Sequence, residues 1–214
     1  MYIPKQFEET RVDVMHELIR ARPFATLVTL APDGLTANHI PFLVSEQPAP
    51  FGTLQGHVAR SNPLWKEESR TGDVLVVFQG PQSYISPSWY ATKKETGKVV
   101  PTWNYAIVHA AGPLRAIEDR AWLRAFVERL TARNEASVAQ QWKVSDAPEE
   151  YLEKMLQNIV GIEIPIARLS GKWKVSQNQP AANRASVIEV LQASGQPEAA
   201  LMAQLIARGT ANAS

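Results

Sequence analysis

The sequence predicts an α+β protein of mostly antiparallel strands, with a barrel or highly twisted sheet at its centre. Three observations predict it. Two β-branched apolar runs, FATLVTL and GLTANHIPFLV, are joined by Ala31-Pro32-Asp33-Gly34. Proline presets φ there and glycine accepts positive φ, which is the chemistry of a hairpin corner. Further apolar runs, TLQGHV, DVLVVFQG and NIVGIEIPIARL, recur along the chain at strand length. Between them Leu123, Phe126, Val127 and Leu130 form an i, i+3, i+4, i+7 stripe with arginines opposite, the pattern of an amphipathic helix. About six or seven strands with helices inserted between them argue for α+β.

Composition narrows the function classes. A chain of 214 residues, 45% hydrophobic and 20% charged, can bury a core in one domain, with room for a small appendage. The absence of cysteine excludes disulfide scaffolds, thiolate zinc sites, iron–sulfur clusters and thiol nucleophiles. With 22 Lys and Arg against 21 Asp and Glu, the net charge of +1 gives no electrostatic footprint for nucleic acid. No apolar run approaches the roughly 18–20 residues of a membrane span. The opening MYIPKQFEETRVD lacks the charged-then-apolar pattern of a secretion signal. The expectation is a compact cytoplasmic protein.

Element by element, Val12, Met15, Leu18 and Ile19 at helical spacing predict a first helix over 7–20, ended by Pro23. The hairpin follows, then the loop EQPAPFG and a third strand, TLQGHV. Ser61 or Asn62 caps a short helix whose first turn carries Pro63. DVLVVFQG reads as a buried strand, and the aromatic and prolyl stretch 80–105 as a functional loop. NYAIVHAAGPLRAIE reads as a strand interrupted at Gly112-Pro113. Helices are predicted over 119–133 and 148–156, then a closing strand pair, and two short helices over 187–191 and 200–206.

Several chemistries have no motif. His16, His39, His57 and His109 never fall at the i, i+4 spacing of a helical metal pair. No GxSxG elbow, Walker A loop or GxGxxG follows a strand. The positive signal is the strand-to-helix corner GHVARSNPLWK. Arg60 beside Ser61 and Asn62 at a helix start, with Lys66 one turn on, suits a phosphate through first-turn amides, a bidentate guanidinium and a second cation. The competing structural reading is that Asn62 only caps the helix and Arg60 is a solvated group. An exposed arginine packs little, so Arg60→Ala is expected to spare the apo fold.

Three other stretches carry polar chemistry. Asn38-His39-Ile40-Pro41 breaks an apolar strand with polar groups and a proline, as at an edge or bulge where backbone can meet a ligand. Tyr84, Trp89, Tyr90, Trp103 and Tyr105 could stack on a planar heterocycle or plug a core or dimer interface. Gly171–Asn178 combines Lys174 with Gln177 and Asn178, suited to an anionic ring or simply to a polar turn.

On HIPF, GHVARSNPLWK, the SYISPSWY and VPTWNY segments, GIEIPIARLSGKWKVSQN and the trailing NR, ASV and VLQASG, the chain resembles the PaiB family of FMN-binding split-barrel proteins. These are described as negative transcriptional regulators of protease synthesis and sporulation. The likeness runs from MYIPKQF to about residue 206. It implies a six-stranded antiparallel split barrel like that of pyridoxamine-phosphate oxidase over 1–178, a helical extension over 179–214, and a homodimer with FMN at its interface. By position, Asn38, His39, Ile40 and Pro41 would lie along the isoalloxazine, and Arg60, Ser61, Asn62 and Lys66 would hold the phosphate. His57 counts among the cofactor-binding residues. Trp103 and Asn104 would approach from the partner subunit, and Lys174, Gln177 and Asn178 would close the site.

Three function classes follow: a PaiB-type regulator, an FMN-dependent oxidoreductase or flavin reductase, and a split barrel holding haem through His39, His57 or His109. Direct DNA binding has little support. The last helix, PEAALMAQLIA, offers neither Arg, Lys nor Asn along most of its length to read base edges, and the arginines of 119–133 are diluted by Glu118, Asp119 and Glu128.

Overall fold

The structure is a computed structural model and describes residues 1–211. In chain order its strands and α-helices are β1 (Glu8–Glu9), α1 (Val12–Ala21), β2 (Phe24–Ala31), β3 (Gly34–Pro41), β4 (Leu43–Ser45), β5 (Thr53–Ala59), β6 (Val74–Ile85) and α2 (Lys93–Thr96). There follow β7 (Thr102–Gly112), β8 (Arg115–Ile117), α3 (Arg120–Glu135), α4 (Glu149–Gln157), β9 (Ile159–Pro165), β10 (Arg168–Lys174), α5 (Ala181–Ala193) and α6 (Pro197–Ala211). The fold is α+β. Its ten strands among the described residues exceed the six or seven expected, and the antiparallel sheets have free ends and are not closed. Two of the extra strands, β4 and β8, are the ends of predicted runs set apart after Pro41 and at Gly112-Pro113, and β1, two residues long, is too short to show a period.

The chain divides into two compact units, and β6 and β7 pass from one into the other. The first unit comprises Met1–Leu18, Gln79–Val108 and the segment from Ser170 onward. Its strands run in the order β1-β10-β7-β6, with Glu8 opposite Lys172 in an antiparallel pair. The first helix begins five residues later than expected. The Glu9 carboxylate accepts from the Arg11 amide and Nε at 2.9 Å each, which fixes the preceding residues in a turn and the short β1. Both C-terminal helices are longer than their apolar patterns suggested. Val187, Leu191, Met202 and Ile206 pack with Ile85, Tyr90 and Val175 into one core, leaving the apolar side of this helix pair inside the unit.

The second unit comprises Ile19–Phe78 and His109–Leu169. The predicted hairpin is present: β2 and β3 pair from Phe24–Pro41 to Ala31–Gly34 around Pro32-Asp33, and Gly34 has φ 128°. That backbone conformation is open to glycine and strained for other residues. The strand β6 joins the other side of β2, giving β6-β2-β3, while β4-β5-β9-β8 form a second ladder. The β5–β9 pairing runs unbroken from Thr53–Pro165 to Ala59–Ile159. Asp119 caps α3 by accepting from the Trp122 amide at 2.7 Å. Gly161 lets α3 lie close on β9, because a Cβ there would stand 2.3 Å from the Trp122 ring. The expected helix after Asn62 is instead two 3-10 turns, Pro63–Trp65 and Glu67–Ser69.

Candidate functional site

In the second unit, β5 ends at Ala59 and hands the chain to the corner carrying Arg60. The Arg60 amide donates to Asn158 O at 2.8 Å. Its guanidinium donates to Gln157 O at 2.8 Å, to Ile159 O at 3.3 Å and to the Glu118 carboxylate at 2.6 Å. The Trp65 indole N–H returns a bond to Arg60 O at 3.0 Å. Arg60 therefore stitches β5 to the α4–β9 junction, where a loosely solvated group was one of the two expectations. Its side chain is still 38% exposed. Arg60 and Lys66 both place their cations within 6 Å of the Trp65 ring centre, at 5.8 and 5.9 Å. Ser61 and Lys66 are exposed.

Asn62 caps the following turn by accepting from the Leu64 amide at 3.0 Å, as predicted. The amides of Asn62 and Lys66 are also taken, by Ala59 O and Pro63 O at 2.9 Å each. A phosphate at this corner would meet side-chain cations more than a fan of unsatisfied amides. The Asn62 amide group also donates to Asn38 Oδ1 at 2.9 Å, bringing the corner and the Asn38–Pro41 strand to one place. Both residues line a cleft of about 450 Å³ with Thr29, Thr36, Glu68 and Ser69. Sequence reading missed these four, since isolated hydroxyls and a surface glutamate carry no motif.

The rest of the Asn38–Pro41 segment alternates. Ile40 is buried, whereas His39 is exposed and stacks on Phe24 with ring centres 6.2 Å apart. His57 is not joined to this group by any hydrogen bond among the described residues. Its ring meets Phe126 of α3 edge-on at 5.7 Å, and its Nδ1 is buried without a partner. Burial pushes its pKa below the ordinary imidazole value by disfavouring the charged ring.

In the first unit, Asn104, Lys174 and Asn178 line a cleft of about 300 Å³ with Thr102, Lys98 and Ser176. Asn104 is 1% exposed and donates to Ser176 Oγ at 2.8 Å. Lys174 Nζ donates to the Thr102 hydroxyl. Ser176 holds φ 60°, the one non-glycine residue at positive φ among the described residues. Gln177 turns back on the chain, accepting from the Val175 amide at 2.7 Å and donating to Trp173 O. Its functional groups are spent on that turn. Strand alternation separates Trp103 from Asn104: Trp103 is 54% exposed and packs edge-on against Tyr84 at 6.0 Å. Asn183, 2% exposed, is a further polar anchor, accepting from the Thr92 amide at 3.0 Å. It lies in the trailing NR of the sequence likeness, where no role had been attached to it.

Among the described residues no group of three His, Asp or Glu side chains is placed to hold a metal ion, and no helix is long and apolar enough to cross a membrane.

This fold is shared with solved flavin and haem proteins. The flavocytochrome Anf3 from Azotobacter vinelandii superposes with a TM-score of 0.61 at 11% identity, over 80% of this chain and 72% of that one. The FAD and heme binding protein from Mycobacterium smegmatis gives 0.58 at 14% identity, over 78% and 73%. Sequence comparison then fixes the family. The family model described as "Putative FMN-binding domain" matches residues 1–168. The protease synthase and sporulation protein PAI 2 of Bacillus subtilis is 34% identical over 210 residues, covering 96% of each chain. An uncharacterized protein of Emericella nidulans is 36% identical over 88% of this chain and 89% of its own. The chain belongs to this FMN-binding-domain family, and the resemblance to PaiB proteins extends over nearly its whole length.

Proposed function

We propose that the protein is a PaiB-type FMN-binding protein whose flavin lies along Asn38–Pro41 and whose phosphate is held by Arg60, Ser61, Asn62 and Lys66. The observation that carries this reading is the Asn62–Asn38 hydrogen bond, which makes the cationic corner and the polar strand segment one locus. The residues present fit the group. Side-chain amides suit the polar edge of a flavin ring, and two cations beside Trp65 suit a dianionic phosphate. Bound FMN would supply one- or two-electron transfer chemistry. What this chain supplies is orientation through Asn38 and Asn62, and charge through Arg60 and Lys66. A phosphate would draw Arg60 from Glu118, whose carboxylate is 56% exposed and stable in water without that partner.

The protein acts as a homodimer on a split-barrel scaffold, with Trp103 of the partner subunit approaching the flavin and Lys174 and Asn178 closing the site, while buried Asn104 and turn-bound Gln177 hold the backbone behind them. Support comes from the open face of the β2–β3 hairpin, where Phe24, Leu30 and Leu35 are 66, 47 and 78% exposed. The regulatory role in the cytoplasm works through flavin occupancy, and direct DNA binding has weak support, because PEAALMAQLIA of α6 offers neither Arg, Lys nor Asn to read base edges. Titration with FMN, FAD and riboflavin, followed by flavin fluorescence with parallel light scattering, tests the reading. The expected result is a dimer that binds FMN most tightly. Riboflavin binding as tightly as FMN would overturn the phosphate assignment, and a flavin-loaded monomer would overturn the dimer.

A further inference from the structure

The arginines of α3 fall into two groups with different partners. Arg120 pairs with Glu153, and Arg124 with Glu149 and Glu128, so this half of the helix is neutralised by carboxylates. The Arg124 guanidinium beside it holds the Glu149 carboxyl below the usual carboxylate range. Arg129 and Arg133, one and two turns further on, pair with no carboxylate among the described residues. Arg129 donates to the side-chain oxygen of Gln55 at 2.9 Å, and Arg133 donates to the backbone oxygen of Arg20. All three arginines line a cleft of about 490 Å³ whose floor is completed by Val44, Ser45 and Gln55.

The local charge is unbalanced. Three guanidinium groups face this cleft, and the carboxylate paired with one of them is Glu46, bonded to Arg20 and 70% exposed. Glu163 is reached only through the Gln55 amide, which donates to it at 2.7 Å. The Arg133 guanidinium is disfavoured first by partial burial and then by the nearby charge of Arg20. Gathering like charges costs free energy unless an anion compensates it. Each guanidinium carries five N–H donors, and the bonds described use only one or two of them, so donors remain for a ligand.

We propose that this cleft binds a compact phosphorylated small molecule, at a place separate from Asn38, Asn62 and Lys66. The concave shape favours a small polyanion over a nucleic acid backbone. A duplex would need cations spread along the helix, and the Arg120 and Arg124 positions are already neutralised by Glu153, Glu149 and Glu128.

The test uses sodium pyrophosphate as the probe, titrated calorimetrically into full-length protein saturated with FMN, against sodium chloride at equal ionic strength. Wild type is expected to bind one pyrophosphate per chain. Arg129→Gln, an exposed position whose one described contact is to Gln55, is expected to weaken binding about tenfold with its melting temperature retained. Arg20→Gln should behave alike, while Lys66→Gln should bind pyrophosphate as wild type does. Three results would overturn the proposal: no binding at low millimolar pyrophosphate, binding that survives Arg129→Gln and Arg20→Gln, or binding lost in Lys66→Gln alone. A short DNA duplex that binds through Arg129 while pyrophosphate does not would overturn it too.

Discussion

The β5 corner and the Ser176 turn, two places that carry residues proposed to hold the flavin, treat their polar groups in opposite ways. At the corner the charged groups stay at the surface: Arg60 is 38% exposed and Lys66 is exposed, and Arg60 divides its donors between backbone carbonyls and the Glu118 carboxylate. At the turn Asn104 and Ser176 are neutral and buried, 1 and 3% exposed, and bond to each other. Exposed cations are cheap to leave and re-form, because water takes over their hydration when a partner departs. A buried amide has no such substitute. The corner is therefore suited to exchange its partners for a ligand, and the turn to hold a fixed wall.

That contrast orders the expected effects of substitution. Asn104→Val should have the largest effect on the fold, because it leaves the buried Ser176 hydroxyl without its donor. A loss of about 2 kcal/mol is expected, read as a fall of roughly 4–8 °C in melting temperature of the flavin-free protein. An unchanged melting temperature would remove the distinction between wall and exchanger.

Arg60→Ala should cost less, about 1 kcal/mol, since its carbonyl bonds count and the exposed Glu118 pair contributes little. This replaces the expectation that the apo fold would be spared. FMN affinity should fall about tenfold in the same variant, with partial recovery in Arg60→Lys, which keeps the charge and loses the fork. Lost stability with unchanged affinity would leave Arg60 as a stitch of the fold alone.

The smallest effect concerns His57, in the same β5 strand but facing α3. Its folded pKa is lowered by burial, so the unfolded chain takes up the proton more readily. Stability is then constant above the ordinary imidazole value of about 6.5 and declines as pH falls below it. His57→Leu should flatten the fall in melting temperature between about pH 7.5 and 5.5. Some slope should persist, because burial lowers the pKa of His109 as well. An identical slope in the variant would show that His57 is not the group that titrates.

Much of the fold was legible because its determinants are local. The Pro32-Asp33 corner, the stripe of α3 and the break at Gly112-Pro113 each lie within a few residues of their effect, and each appears where expected. The cap at Asn62 was legible for the same reason. The partners of Arg60 were not, since Glu118, Gln157 and Ile159 lie 58, 97 and 99 residues away and the β5–β9 and β8–β9 pairings bring them close. Gln177 looked like a ligand donor, and its engagement with Val175 and Trp173 depends on the positive φ at Ser176, which no local pattern announces. The separation of Trp103 from Asn104 was readable in principle, as neighbours in any strand point to opposite faces.

The most direct test of the phosphate assignment uses Lys66, because the one described contact of its exposed side chain is to the Trp65 ring and its backbone bonds survive truncation. FMN and riboflavin dissociation constants would be measured for wild type and Lys66→Ala, alongside the melting temperature of the flavin-free proteins. If the corner holds the phosphate, FMN affinity falls about tenfold in the variant, riboflavin affinity stays the same, and the melting temperature does not move. An unchanged ratio of FMN to riboflavin affinity would place the phosphate elsewhere and contradict the account.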